Sequence, residues 1–209
     1  FVSFFTGQFS FFKGYLSRLF GKLLGNTPLN TTNTSMKHIA IFASGAGSNA
    51  RKIIEYFENP SNKGYGQIKV SLIVCNVPTA GVLDIAKEKG IPTLLIDRKT
   101  FKETGYVSSL QNAGIDFVVL AGFLWMIPGA LVKAYHNKMI NIHPALLPKY
   151  GGKGMYGSNV HQAVIDAKEV VSGITIHWVN EHYDEGGIIF QASCTITPED
   201  TPESLASKI

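Results

Sequence analysis

The stretch KHIAIFASGAGSNARKIIEYFE, residues 37–58, decides the fold at the start of the chain. Its apolar beginning predicts a strand over Lys37–Ala43, and its end predicts a helix over Ser48–Glu58. Glycines in the connecting loop, Ser44–Ala50, let backbone amides approach a ligand closely, and a helix N-terminus favours an anion. The segment therefore predicts the first strand–helix unit of an α/β sheet, with a loop suited to a phosphate.

The same loop also fits the dinucleotide fingerprint G-x-G-x-x-G/A at Gly45, Gly47 and Ala50. That fingerprint requires an acidic residue at the end of the second strand to hold a ribose, and Asn76 stands there. The loop therefore predicts a phosphate site without a nicotinamide cofactor. A purely structural alternative stays open for Ser48, whose side chain can cap the helix.

Strands and helices alternate along the rest of the chain. Further strands are predicted at 68–76, 93–96, 116–120 and 139–142, and helices at 79–89, 100–113, 128–135 and 159–167. Two longer strands, 171–179 and 188–196, are predicted to pair antiparallel. This order predicts an α/β fold with a mostly parallel sheet, helices on both faces and an antiparallel edge. Because ligands of such sheets bind beyond the carboxyl ends of the strands, the segments after 43, 120, 142 and 179 form the candidate site.

Two polar side chains lie at the end of the fifth predicted strand. Asn141 and His143 are two residues apart and therefore point to the same side, and Pro144 ends the strand after them. A carboxamide and an imidazole side by side can both donate to one oxygen, as a developing oxyanion requires. A structural alternative is that His143 is a hydrogen-bonded residue at the rim of the sheet.

An acidic turn connects the last two predicted strands at the same rim. It contains Glu181, Asp184 and Glu185 and ends with two glycines. A carboxylate there would face His143 and raise the pKa of its imidazole, which would keep the ring protonated. Spacing alone leaves open which of the three acids does so.

Composition sets outer limits on function. The chain has 209 residues and a net charge of +4, and three of these positive charges lie in residues 1–35, which contain no acidic residue. The remainder carries +1, so we predict no nucleic-acid partner. No apolar run reaches the ~20 residues of a membrane span. Two cysteines, Cys75 and Cys194, predict reduced thiols rather than a disulfide framework, and hence a cytoplasmic location.

Residues 1–35 differ from the rest of the chain and are treated as an N-terminal extension to a domain at 36–209. Aromatic and leucine side chains recur there at helical spacing, with the three cations off that face. Two interpretations stay open: an amphipathic tail that binds an interface or targets an organelle, or upstream sequence translated before a true start at Met36.

Four segments, taken together and in this order, resemble the glycinamide ribonucleotide formyltransferases, a family of folate-dependent enzymes. They are Gly47-Ser48-Asn49, Ala121-Gly122-Phe123, Asn141–Pro148, and Asp184 with the glycines after it. The resemblance covers about residues 37–209. It implies a Rossmann-like sheet and transfer of a formyl group from 10-formyltetrahydrofolate to the amine of glycinamide ribonucleotide in purine biosynthesis.

The resemblance also implies site residues. By it, Asn141, His143 and Asp184 are catalytic, and Gly47, Ser48 and Asn49 bind the substrate phosphate. The folate would contact Asn141 and a segment of four residues: Leu124, Trp125, Met126 and Ile127. No metal is implied, the partners are small molecules, and the enzyme is expected to be a monomer or a homodimer.

This chain departs from the family pattern in three places. It has no arginine at 101–106, where the family often has one near the folate tail, and Glu185 follows Asp184 before the glycines. The chain also stops at Ile209, one helix early, so we expect a C-terminally truncated domain. The alternatives are a formyltransferase of the methionyl-tRNA type, a formyl-folate hydrolase, and a non-catalytic nucleotide-binding module.

Overall fold

A computed structural model describes residues 35–209 and shows one seven-stranded sheet. The strands are β1 Lys37–Ala43, β2 Ile68–Cys75, β3 Thr93–Leu95, β4 Phe117–Leu120, β5 Met139–His143, β6 Val171–Trp178 and β7 Ile188–Thr195. The helices are α1 Ser48–Glu58, α2 Val82–Glu88, α3 Arg98–Thr104, α4 Val107–Asn112, α5 Gly129–Ala134, α6 Ser158–Asp166 and α7 Pro202–Lys208. The extension predicted at residues 1–35 lies outside the described residues, apart from Ser35.

The strand order is β3-β2-β1-β4-β5-β6-β7. The first five of these strands run parallel, β6 is antiparallel to β5, and β7 is antiparallel to β6. This arrangement confirms the predicted mostly parallel sheet with an antiparallel edge. The chain leaves β1 in one direction to form β2 and β3 and returns on the other side as β4, so a crevice opens between the carboxyl ends of β1 and β4.

Alternate residues of β1 pack on opposite faces of the sheet. Ile39, Ile41 and Ala43 belong to one buried cluster, which includes residues of α1 and α2. Ala40 and Phe42 belong to the other, which includes residues of α3, α4 and α5. Because side chains of a strand alternate between its two faces, a strand that is apolar throughout must be covered on both.

The prediction of one continuous helix at 100–113 was wrong. The segment forms two helices, α3 and α4, separated by Gly105 and Tyr106, whose φ angles are 60° and 53°. A Cβ atom on Gly105 would lie 2.8 Å from Cβ of Leu131 on α5, so the break also allows α5 to pack closely. The helix predicted from residue 79 begins at Val82, because residues 79–81 form a turn.

The sequence analysis missed α7, although its start signals are in the sequence. Thr201 caps the helix by accepting a hydrogen bond from the Ser204 amide at 3.2 Å, and Pro202 follows it. Leu205 of α7 is fully buried against Val164 of α6. The other side of the helix lines the cavity described below, at Pro202, Glu203 and Ala206.

Candidate active site

A cavity of about 720 Å³ opens at the carboxyl ends of β1, β4 and β5. Its walls include all but one of the residues that the sequence predicted for the site: Ser48, Asn49, Leu124, Trp125, Met126, Ile127, Asn141, His143 and Asp184. Segments far apart in the chain thus meet at one edge of the sheet, as the strand order requires. Among the described residues, Gly47 is the predicted site residue that does not line this cavity.

Gly47 instead lies between the loop and α2. Its φ of 81° places it in the left-handed region, and a Cβ atom there would lie 2.8 Å from Cβ of Val82. Gly47 is also the N-cap residue of α1, and no side chain caps this helix. The alternative in which Ser48 caps α1 was therefore wrong: Ser48 is the first helical residue and is exposed to the cavity.

Ser44 connects three strand ends beneath the cavity. Its hydroxyl donates to Oδ1 of Asn76 at 2.6 Å and accepts from the amide of Leu124 at 3.0 Å. Its own amide donates to the carbonyl of Gly122 at 3.0 Å. Asn76, which replaces the acidic residue of a dinucleotide site, thus has a structural partner that fixes the segment after β4.

His143 is buried, with 3% of its surface exposed, so it is not an open rim residue. Its Nε2 lies 2.8 Å from the carbonyl oxygen of Tyr150. Because a carbonyl only accepts, Nε2 carries the hydrogen in the neutral ring. Nδ1 is then the nitrogen that gains and loses a proton, and it lies 3.6 Å from Oδ2 of Asp184.

Asp184 is the acid of the turn that contacts His143, whereas Glu181, which also lines the cavity, and Glu185 are exposed. Its Oδ2 also accepts from the amide of Gly152 at 2.9 Å, and its Oδ1 accepts from Nδ2 of Asn141 at 3.2 Å. Burial raises the pKa of Asp184, but the contact with His177, the Gly152 amide and the nearby His143 imidazole outweigh burial and hold this pKa below the usual carboxyl value. Asp184 therefore remains a carboxylate between His143 and Asn141.

The net direction of the His143 pKa corrects the sequence-based expectation. Burial lowers this pKa below the ordinary imidazole value, while the charge of Asp184 and the Tyr150 carbonyl act in the opposite direction. The predicted influence of Asp184 is therefore present, but burial outweighs it. The imidazole is mainly neutral at pH 7 in this structure, not protonated as expected.

His177 is a site residue that the sequence analysis missed. It pairs directly with Asn141 across the antiparallel strands β5 and β6. Its Nδ1 donates to the carbonyl of Trp178 at 2.8 Å, so in the neutral ring Nε2 accepts from Nδ2 of Asn141 at 3.1 Å. The same Nε2 lies 3.4 Å from Oδ1 of Asp184. Both amide hydrogens of Asn141 thus have protein acceptors, in His177 and Asp184. The available signal was a histidine near the end of β6, just before the acidic turn.

The other end of the cavity has an aromatic wall. Trp125 contacts Phe123 and Phe101, with ring centroids 6.2 and 5.8 Å apart. The guanidinium carbon of Arg98 lies 5.8 Å from the centroid of the Trp125 ring. Arg98 thus places a guanidinium beside the predicted folate segment, three residues before the range 101–106 that lacks an arginine. Leu124 and Met126 expose apolar side chains, 41% and 50% of their surfaces.

Among residues 35–209, no group of three or more histidine, cysteine, aspartate or glutamate side chains could hold a metal ion. No helix in that range is long and apolar enough to cross a membrane.

Comparison with known proteins places this site in a family. Residues 37–209 match the family model described as formyl transferase. The chain is 42% identical over 179 residues to a chloroplastic phosphoribosylglycinamide formyltransferase of Arabidopsis thaliana. The crystal structure of a phosphoribosylglycinamide formyltransferase from Bacillus halodurans superposes with a TM-score of 0.72 at 38% identity. The chain belongs to the formyl transferase family.

The extent of the match differs among these relatives. The alignment covers 83% of this chain with each of the two proteins named above, 60% of the Arabidopsis protein and 87% of the bacterial chain. A second plant relative, from Vigna unguiculata, is 41% identical and is covered over 56% of its length. The chain thus spans less than two thirds of the plant formyltransferases and most of the bacterial one. The resemblance stated from sequence motifs is confirmed, because the relatives and the solved structure that the chain matches are named phosphoribosylglycinamide formyltransferases.

Proposed function

We propose that this formyl transferase moves a formyl group from 10-formyltetrahydrofolate to the amine of glycinamide ribonucleotide in purine biosynthesis. The observation that carries the proposal is the cluster of Asn141, His143 and Asp184 at the cavity of a chain from this family. We infer the substrates from the names of its relatives and the chemistry from the geometry of this cluster.

The two substrates would occupy opposite ends of the cavity. The phosphate of glycinamide ribonucleotide would lie at Ser48 and Asn49, at the N-terminus of α1, with Gly47 shaping the loop. The folate would contact the apolar segment Leu124–Ile127, whose backbone is fixed through Ser44. The formyl carbon would then lie near Asn141 and His143.

In the reaction one bond forms, one bond breaks and one proton is transferred. The amine nitrogen attacks the formyl carbon, and the negative charge that develops on the formyl oxygen is stabilised by donors from Asn141 and His143. In its protonated form His143 donates from Nδ1 to this oxygen, delivers that proton to N10 of the departing folate as the C–N10 bond breaks, and regains a proton from the amine nitrogen. Asp184 stabilises this imidazolium.

The internal hydrogen bonds of Asn141 are part of this proposal. Both amide hydrogens are engaged, so one contact must be exchanged before Asn141 donates to the formyl oxygen. We expect the longer bond, to Asp184 at 3.2 Å, to be exchanged, because His177 then continues to hold the amide orientation.

The proposal is tested by assaying the purified chain with both substrates. Formylated glycinamide ribonucleotide should accumulate in step with loss of 10-formyltetrahydrofolate, and only when the amine is present. Consumption without the amine would indicate a formyl-folate hydrolase, and formylation of methionyl-tRNA would indicate the tRNA-acting type. Binding of NAD without binding of folate would indicate a nucleotide-binding module.

We also propose that the protein is a monomer or a homodimer and that it is cytoplasmic. Light scattering distinguishes the two oligomeric states. Both plant relatives are named as chloroplastic proteins, so a plastid is the alternative. A fluorescent protein fused to residues 1–35 decides between them, since import into plastids would contradict the cytoplasmic location.

A further inference from the structure

Tyr150 joins the candidate catalytic histidine to a carboxylate outside the cavity. Its carbonyl oxygen lies 2.8 Å from Nε2 of His143, and its hydroxyl donates to Oε1 of Glu169 at 2.9 Å. The φ of Tyr150 is 56°, a left-handed conformation that a large side chain rarely adopts. Its surroundings must therefore hold this residue in place.

Two kinds of contact hold Tyr150. Its ring packs against the cluster of Val164, Ile196 and Leu205. Glu169 supplies the polar contact, and its side chain, 26% exposed, also pairs with Nζ of Lys149 at 2.8 Å. Removing the hydroxyl of Tyr150 would leave the ring packing and delete the polar contact, so the two can be separated.

The backbone of this segment sets the geometry of two candidate catalytic side chains. The Tyr150 carbonyl fixes the hydrogen of His143 on Nε2 and leaves Nδ1 facing Asp184. Two residues later, the amide of Gly152 donates to Oδ2 of Asp184 at 2.9 Å. Displacement of the segment would therefore disturb the histidine, the aspartate and their separation together.

We propose that Glu169 is a positioning residue for formyl transfer, which acts through the Tyr150 hydroxyl to hold the Tyr150 carbonyl against His143. The expected effect on catalysis rests on the proposed function. The expected effect on the His143 imidazole does not depend on it. Glu169 does not line the cavity. The Tyr150 carbonyl raises the pKa of His143, so loosening it lowers that pKa further.

The test compares Tyr150→Phe and Glu169→Ala with the wild-type chain. Both variants should lower kcat at neutral pH by about threefold to tenfold, the effect of losing one hydrogen bond, with KM values changed by less than about twofold. The difference should narrow as pH falls, because the imidazole is then protonated in every variant. The double variant should be no slower than either single variant, since both remove the same contact.

Two further variants separate position from charge. Glu169→Gln keeps an acceptor for the Tyr150 hydroxyl and should retain most of kcat. Glu58→Ala is the matched control, because Glu58 has a similar ion pair, with Lys89 at 2.8 Å, but lies on α1. It should leave kcat and the pH profile unchanged. A loss in Glu169→Gln equal to that in Glu169→Ala would assign the effect to charge and overturn the positioning role.

An NMR titration of the His143 ring tests the inference without any activity. The pKa of His143 should fall in Tyr150→Phe and Glu169→Ala and stay unchanged in Glu58→Ala. Unchanged titration in both of the first two variants would overturn the inference, whatever the kinetics. If the wild-type chain transfers no formyl group, the proposed function fails, while this titration still decides whether Glu169 positions the imidazole.

Discussion

Replacing Asp184 with asparagine removes the negative charge beside His143 and keeps the size of the side chain. The substitution suits the backbone, because Asp184 has a φ of 56° and asparagine tolerates this left-handed conformation well. Since Asp184 raises the pKa of His143, the variant should have a lower His143 pKa. In the mechanism proposed here, the imidazole carries a proton when the C–N10 bond breaks, so the reaction should slow.

The structure sets the size of this effect. The two charges are 3.6 Å apart, and the exposed side-chain fractions are 3% for His143 and 11% for Asp184. Their attraction is about 4–5 kcal/mol at an effective dielectric constant of about 20, which is an upper limit. Loss of part of this attraction lowers the pKa of His143 and with it the protonated fraction of the imidazole. The rate at pH 7 should therefore fall by about 10- to 100-fold.

The assay is a pH–rate profile combined with NMR titration of His143. Above the pKa of His143 the variant should be slower by a constant factor, and at pH values below both pKa values the two rates should converge. Glu185→Gln is the matched control, because it removes an exposed charge one residue away. A ratio of rates that does not change with pH, with an unchanged His143 titration, would refute the coupling. Thermal melting checks that the variants are folded.

Three more predictions follow from the site. His143→Gln should lower kcat by about 10²–10⁴-fold without a large change in melting temperature; glutamine is chosen because the side chain is buried and alanine would leave a cavity. Near-normal turnover would remove His143 from the mechanism. Gly47→Ala should destabilise the fold by about 1–3 kcal/mol in urea unfolding, because its Cβ would meet Val82 and its φ is 81°. Equal stability would show that the loop shifts freely. Asn49→Ala should raise KM for glycinamide ribonucleotide about tenfold and leave KM for the folate unchanged; equal changes in both would place the phosphate elsewhere.

The local sequence was sufficient to predict the strands and the edge of the sheet at which the site lies. The apolar runs that became β1 and β4 are short and are bounded by glycine or aspartate, so they predicted buried parallel strands. A two-residue spacing placed Asn141 and His143 on the same side of β5, and the structure has both lining the cavity. The break between α3 and α4 was missed because Gly105 serves a contact with α5, which no local pattern shows.

Tertiary structure decided what each polar group contacts. Spacing could not choose among Glu181, Asp184 and Glu185, because the choice depends on how the turn folds back over β5. The register of β5 and β6 brings His177 to Asn141, although 36 residues separate them in the chain. Sequence by itself determined the fold class and the edge of the sheet at which the candidate residues lie, since hydrophobic periodicity acts over short distances. Only the tertiary structure decided the tautomer and the pKa of His143, because burial and the carbonyl of Tyr150 come from segments that meet only in the folded chain.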